Sequence, residues 1–227
     1  MSTKQLVEWV KSTTFVRTKS RTMLEDIILE DEIFADEPGQ VWIVAEAPSR
    51  DIAEQLADLH ALKGAEFICM LKEITQQKAF TPLESDSNIY IIDGMQGDDY
   101  ENLLNAARKA VEHGYRVFIL PNPKGIRTAD YIFERKGVYK MFDLKTISGK
   151  SSVDNRLKES VGQTNRVLLN MPQYNTRKLV HDIRKYFIDY SDAIEILIFK
   201  GKDEILITRR LALNPRFYFE FKKLFEK

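Results

Sequence analysis

Hydrophobic positions along the chain follow two spacings, which predict an alternation of strands and helices. Four short apolar runs are typical of buried strands: residues 41–45, 88–92, 115–120 and 167–169. Three stretches carry apolar residues at helical spacing: residues 50–62, 100–113 and 175–190. This alternation predicts an α/β fold with a mixed central sheet flanked by helices.

Two hairpins make the predicted sheet mixed rather than parallel. The first runs from Asp130 through a turn near Gly137 to Thr146, and the second pairs residues 194–198 with residues 204–207. We expect residues 1–95 to form an amino-terminal α/β region and residues 96–227 to form a second domain. The aromatic residues of segment 217–225 are expected to pack a last helix onto the core.

Composition restricts the classes of partner. Acidic and basic residues number 34 each, so the chain as a whole has no strong attraction for nucleic acid or an anionic membrane. The single cysteine, Cys69, lies in an apolar run and is expected to be buried. There is no signal peptide and no apolar run long enough to span a bilayer, which predicts a cytoplasmic protein with no membrane partner.

The first hairpin carries the candidate chemistry. Side chains alternate along a strand, so Asp143 and Lys145 share one face while Phe142 and Leu144 share the other. The antiparallel return of the hairpin brings Asp130 level with Asp143 to within a residue or two. Two carboxylates and one ammonium therefore converge at one end of the sheet.

Two adjacent carboxylates repel each other unless a cation lies between them. Oxygen ligands suit Mg²⁺ or Mn²⁺ better than zinc. Lys145 would stabilise the negative charge that develops on a phosphate, or help to deprotonate an attacking water. The alternative from spacing alone is a surface hairpin with an ordinary Asp–Lys cross-strand pair.

Residues 98–210 resemble the PD-(D/E)XK nuclease superfamily. Three segments carry most of the resemblance: Ala129-Asp130-Tyr131-Ile132, Phe142-Asp143-Leu144-Lys145-Thr146 and Gly162-Gln163-Thr164-Asn165. More narrowly, the region is similar to the carboxyl-terminal nuclease domains of contact-dependent growth-inhibition toxins, which cleave tRNA. Two departures are Ala129, where the family often has proline, and Asp143, where glutamate is commoner.

The resemblance implies a role for each matching residue. Asp130 and Asp143, with Glu101 on the preceding helix, would hold the metal. Lys145 would assist the attack, and Gln163 would orient water or substrate. The resemblance also implies a nucleic-acid substrate, RNA or DNA, and admits an inhibitory protein partner.

The segment after the second strand of the first hairpin carries a local basic patch. Lys150, Arg156 and Lys158, together with Ser151 near a helix amino terminus, could grip phosphates through charge, a hydroxyl and backbone N–H groups. An ordinary capped surface helix, predicted near residues 152–164, explains the same residues equally well.

These observations together predict a metal-dependent endonuclease that hydrolyses phosphodiester bonds, with RNA, tRNA included, favoured over DNA. The rival prediction is a non-catalytic protein with a nuclease-like scaffold that binds a protein partner.

Overall fold

The computed structural model describes residues 51–94, 99–123, 125–147, 153–171, 175–200 and 202–225. The strand predicted at residues 41–45 lies outside this part of the chain. So do Lys150 and Ser151.

Eight strands and seven α-helices are present in the described ranges. The strands are β1 (Phe80–Leu83), β2 (Asp86–Ile92), β3 (Arg116–Ile119), β4 (Tyr131–Arg135), β5 (Val138–Thr146), β6 (Arg166–Asn170), β7 (Glu195–Lys200) and β8 (Asp203–Thr208). The helices are α1 (Ile52–Asp58), α2 (Gly64–Thr75), α3 (Tyr100–Glu112), α4 (Val153–Glu159), α5 (Thr176–Asp189), α6 (Arg209–Leu213) and α7 (Phe217–Phe225). None of these helices is both long enough and apolar enough to cross a membrane.

The strands form one sheet whose spatial order follows the chain from β1 to β8. The pairs β2/β3, β5/β6 and β6/β7 are parallel, and the remaining four pairs are antiparallel. The predicted α/β fold with a mixed central sheet is therefore confirmed. Strands from both sides of residue 95 share this sheet, and the division into two domains stays a prediction.

One face of the sheet is covered in part by α3. Residues of all six strands from β2 to β7 belong to one connected apolar cluster with α3. The ring of His113 at the end of α3 stacks on Phe199 of β7 with centroids 4.6 Å apart.

The opposite face is covered in two parts. Helices α1 and α2 pack on β1 to β5, where Met141 belongs to their cluster. Helices α4 to α7 pack on β6 to β8, and this second cluster includes Ile147, just after β5. Asp143 and Lys145 lie on β5 between Met141 and Ile147 and share their face by strand alternation. The candidate site thus lies on β5 at the boundary between these two groups of helices, which we call the seam.

Three details differ from the sequence expectations. Helix α2 and strand β1 were not predicted, because the apolar spacing of residues 64–75 is shared with a short buried strand. Cys69 was expected to be buried, which is wrong: it lies on the exposed face of α2, opposite Ile68 and Leu71. The helix predicted near 152–164 ends earlier, at Glu159, because the chain turns through Gly162 with φ +83°.

The last helix packs on the core as expected, since Phe217, Phe221 and Phe225 are all buried. Phe219, on the same helix, is 64% exposed. Phe221→Ala should lower the free energy of unfolding by about 3–5 kcal/mol because it leaves a cavity in the core. The matched control Phe219→Ala should change it by less than about 0.5 kcal/mol. Denaturant unfolding measures both, and equal effects would contradict this packing.

Candidate active site

The pairing of β4 with β5 sets Asp130 opposite Asp143. Tyr131 pairs with Phe142, and the backbone N–H of Asp130 donates to the carbonyl oxygen of Phe142 at 3.0 Å. The carbonyl oxygen of Asp130 accepts from Leu120 N–H at 2.8 Å, which ties the same residue to the end of β3. Asp130 is therefore fixed on both sides by backbone hydrogen bonds, and the register directs its side chain to the face of Asp143.

Asp143 is buried, and its carboxylate receives little hydrogen bonding from the described residues. The residue is 1% exposed, and among the described residues no backbone N–H or hydroxyl group donates to either of its carboxylate oxygens. Burial raises the pKa of Asp143 to about 7, and the negative charge of Asp130 adds to this rise. The carboxyl of Asp143 therefore holds a proton far above its ordinary range when no cation is bound.

Lys145 is the cationic member of the cluster. Its Nζ lies 2.7 Å from Asp143 Oδ2, and its side chain is 13% exposed. This ion pair opposes the rise in the pKa of Asp143 without cancelling it. The spacing of two along β5 places both groups on one face of the strand, as the sequence predicts.

Asp130 is better satisfied than Asp143. Its Oδ2 accepts a 2.6 Å hydrogen bond from the backbone N–H of Leu144. Burial raises the pKa of Asp130, whereas the Leu144 N–H and the Lys145 ammonium act to lower it. Because Asp130 has a backbone donor and Asp143 has none, Asp130 is the member of the pair that holds the negative charge more easily.

The two carboxylates and Lys145 have the donor chemistry of a divalent cation site. With both carboxyl groups ionised, one ammonium leaves the cluster with an excess of one negative charge. The oxygens of Asp143 have unused acceptor capacity, and oxygen ligands suit Mg²⁺ or Mn²⁺. The site therefore fits such an ion, although within the described ranges no three acidic, histidine or cysteine side chains are grouped to hold one.

The structure does not bring Glu101 into a three-carboxylate group with Asp130 and Asp143. Glu101 lies on the exposed side of the first turn of α3. The charge of the neighbouring Asp99 adds to the raised pKa of Asp130, which is due mainly to burial. Asp99 occupies the position before α3 but makes no side-chain capping bond to that helix.

Gln163 lies in the turn after α4, where its side chain closes the helix end. Its Nε2 donates to the carbonyl oxygen of Glu159 at 2.9 Å. Arg127 donates to the same carbonyl through Nη2 at 3.0 Å. Arg127 precedes Asp130 by three residues, so this contact ties the loop before Asp130 to the turn that carries Gln163. The amide oxygen and the second N–H of Gln163 are the parts of the side chain that are left to contact water or substrate.

The two described members of the basic patch are already paired. Arg156 Nη1 lies 3.0 Å from Glu159, and Lys158 Nζ lies 2.8 Å from Asp154. Each pair joins residues one turn apart on α4, where surface ion pairs contribute little stability. Both cations are partly exposed, so a nucleic-acid backbone could compete for them.

Sequence reasoning missed two side chains behind the turn after α4. Ser160 and Tyr186 contribute to no recognisable motif. Tyr186 belongs to the buried face of α5 together with Ile183 and Phe187, so its spacing indicates core packing alone. Arg127 is a cation close to Asp130 in sequence, but nothing in the sequence links it to Glu159.

The raised pKa of Asp143 predicts a pH dependence of stability in the absence of metal. The folded protein keeps a proton on Asp143 up to about pH 7, whereas the unfolded chain loses it near the ordinary value of 3.8. The stability present below pH 3.8 is therefore lost as the pH rises towards 7, at up to about 1.4 kcal/mol per pH unit.

Asp143→Asn removes this titration. The wild type should match the variant in unfolding free energy near pH 4 and become the less stable of the two by pH 7.5. Denaturant titrations in EDTA at several pH values measure the difference between them. A difference that stays constant with pH would show that Asp143 is not protonated in the folded protein.

Comparison with known proteins adds one weak likeness. No protein-family model matches the chain, and no curated protein matches it. A solved structure described as the CdiA-CT/CdiI toxin and immunity complex from Burkholderia pseudomallei matches with a TM-score of 0.32 and 13% identity. The match covers 52% of this chain and 92% of that one. A likeness at this TM-score establishes neither a common fold nor a common activity.

Proposed function

We propose that this protein is a metal-dependent endonuclease that hydrolyses phosphodiester bonds, with RNA, tRNA included, favoured over DNA. The observation that carries the proposal is the pairing of the half-buried Asp130 with the buried Asp143, with Lys145 in contact with Asp143 at 2.7 Å. A structural ion pair needs one carboxylate for one ammonium. Without a further cation, the second negative charge is avoided only because Asp143 keeps a proton up to about pH 7.

The choice of Mg²⁺ or Mn²⁺ follows from the ligand chemistry. The cluster offers carboxylate oxygens and no thiolate or imidazole, which favours hard divalent ions over zinc. Binding such an ion would replace the proton on Asp143 and relieve the repulsion between the two carboxylates. A bound ion would supply charge stabilisation and an activated water for attack on phosphorus.

The protein's own side chains would then divide the remaining work. Asp130 and Asp143 would hold the ion, with an acid at the start of α3, Glu101 or its neighbour Asp99, adding negative charge. Lys145 would stabilise the additional negative charge on the phosphate in the transition state. Gln163 would accept a hydrogen bond from water or substrate through its amide oxygen, while its nitrogen donates to the carbonyl oxygen of Glu159.

The preference for RNA rests on the resemblance of the sequence motifs and not on a contact in the structure. Lys150, Ser151, Arg156 and Lys158 would bind the phosphate backbone. The alternative, a nuclease-like scaffold that binds a protein partner, requires no cation and no cleavage. The two predictions below distinguish these functions.

Asp143→Asn should abolish Mg²⁺-dependent cleavage of RNA and DNA and leave the fold intact. The substitution removes a ligand charge but hardly changes side-chain volume. Asp203→Asn, an exposed acid at the start of β8, is the matched control and should cleave as the wild type does. Cleavage that survives either Asp143→Asn or EDTA would place the activity elsewhere.

Replacing Lys150, Arg156 and Lys158 together by Ala should weaken nucleic-acid binding for all sequences. Each lost phosphate contact should reduce the slope of log K against log salt by about 0.7 to 0.9. Because Arg156 and Lys158 are already paired with acids, we expect the total change to be less than three full contacts.

The control for this triple variant is Lys136→Ala, in the exposed turn at the far end of the β4–β5 hairpin. It should leave the slope unchanged. If the triple variant also keeps the wild-type slope, these three cations make no contact with the nucleic acid. The protein-binding alternative then gains support.

A further inference from the structure

We propose that Tyr186 is a positioning residue of the carboxylate site, which acts through Ser160 to fix the turn that presents Gln163. The turn comprises residues 160–164 and joins α4 to β6. This inference rests on the proposed nuclease function, because it assigns a role within that same site.

The turn is attached to β5 directly and, through the end of α4, to the loop before Asp130. Thr164 Oγ1 donates to the carbonyl oxygen of Met141 at 3.2 Å, two residues before Asp143. Arg127, three residues before Asp130, donates to Glu159 at the start of the turn. A displacement of the turn would therefore move Gln163 relative to both acids.

The hydroxyl of Ser160 determines the direction of the contact with Tyr186. Ser160 Oγ donates its one proton to the carbonyl oxygen of Leu157 at 2.7 Å. The 3.3 Å contact between Ser160 Oγ and Tyr186 Oη must then have the tyrosine as donor. Both side chains are buried, at 0% and 2% exposure, so water does not compete for this bond.

The phenol of Tyr186 keeps its proton. Burial raises its pKa and the charge of Asp143 raises it further, while the contact with Ser160 opposes this rise. Because its proton is directed to Ser160, Tyr186 acts as a neutral brace for the turn and takes no part in proton transfer.

Helix α5 holds Tyr186 firmly enough for this role. Arg209 donates through Nη1 to the carbonyl oxygens of Phe187 and Tyr190, which anchors the end of α5 to the start of α6. Tyr186 and Tyr190 also contact each other, with ring centroids 5.4 Å apart. The brace therefore connects the turn to a helix that is itself fixed to the carboxyl-terminal part of the fold.

The test is steady-state cleavage of RNA by full-length variants with saturating Mg²⁺. Tyr186→Phe and Ser160→Ala each remove one partner of the hydrogen bond, so each should lower kcat about three- to tenfold with KM within about twofold. The double variant should lose no more than Ser160→Ala alone, because the contact with Tyr186 is already absent in that variant. Tyr190→Phe removes a hydroxyl from the same helix and should keep the wild-type kcat.

Making Tyr186→Phe in a second variant, Gln163→Ala, separates the positioning of Gln163 from a general destabilisation of the fold. In Gln163→Ala the residue that the brace presents is gone, so adding Tyr186→Phe should not lower kcat further. The same loss in both backgrounds, or an unchanged kcat in Tyr186→Phe, would overturn the inference while leaving the nuclease in place. Absence of Mg²⁺-dependent cleavage by the wild type would overturn the proposed function and the inference with it.

Discussion

The antiparallel register of β4 and β5 is the constraint on which the candidate site depends. Pairing Tyr131 with Phe142 places two carboxylates face to face in a region where one of them is 1% exposed. Like charges in a dry environment are unfavourable, and the fold supplies a single ammonium in contact with Asp143. A slip of one residue would turn one acid to the α3 face and separate the pair. The register of the sheet therefore imposes this unfavourable pairing of two carboxylates.

The location of the pair explains how an otherwise apolar sheet can tolerate it. Two separate helical layers cover this face, and Asp143 lies on β5 where they meet. The loop before Asp130 and the turn after α4 border this seam and are joined through the contact of Arg127 with Glu159. The polar groups therefore lie at the common edge of the two apolar clusters. A pair of acids held in this way is suited to bind a cation, because no backbone N–H or hydroxyl group of the described residues donates to Asp143, which has Lys145 as its cationic contact.

Local patterns predicted the strands other than β1, most of the helices and the alternation that puts Asp143 and Lys145 on one face. The hairpin turn at Gly137 and the apolar residues Phe142 and Leu144 were sufficient for that alternation. The contacts of Arg127, Ser160 and Tyr186 could not be predicted, because they join segments separated by 26 to 32 residues. Helix α2 was missed because the apolar spacing of residues 64–75 is shared with a short buried strand. The exposure of Cys69 was wrongly predicted because a cysteine next to apolar residues can lie on the opposite side of a helix.

The most direct test of the account is to locate a metal ion. Crystals of the full chain soaked in Mn²⁺ should show an anomalous scattering peak about 2.0 to 2.6 Å from carboxylate oxygens of both Asp130 and Asp143, with Lys145 retained beside it. The account predicts that this peak disappears in Asp143→Asn crystals soaked in the same way. Side chains of Asp130 and Asp143 on opposite faces of the sheet, or an Mn²⁺ soak with no peak between them at neutral pH, would contradict it.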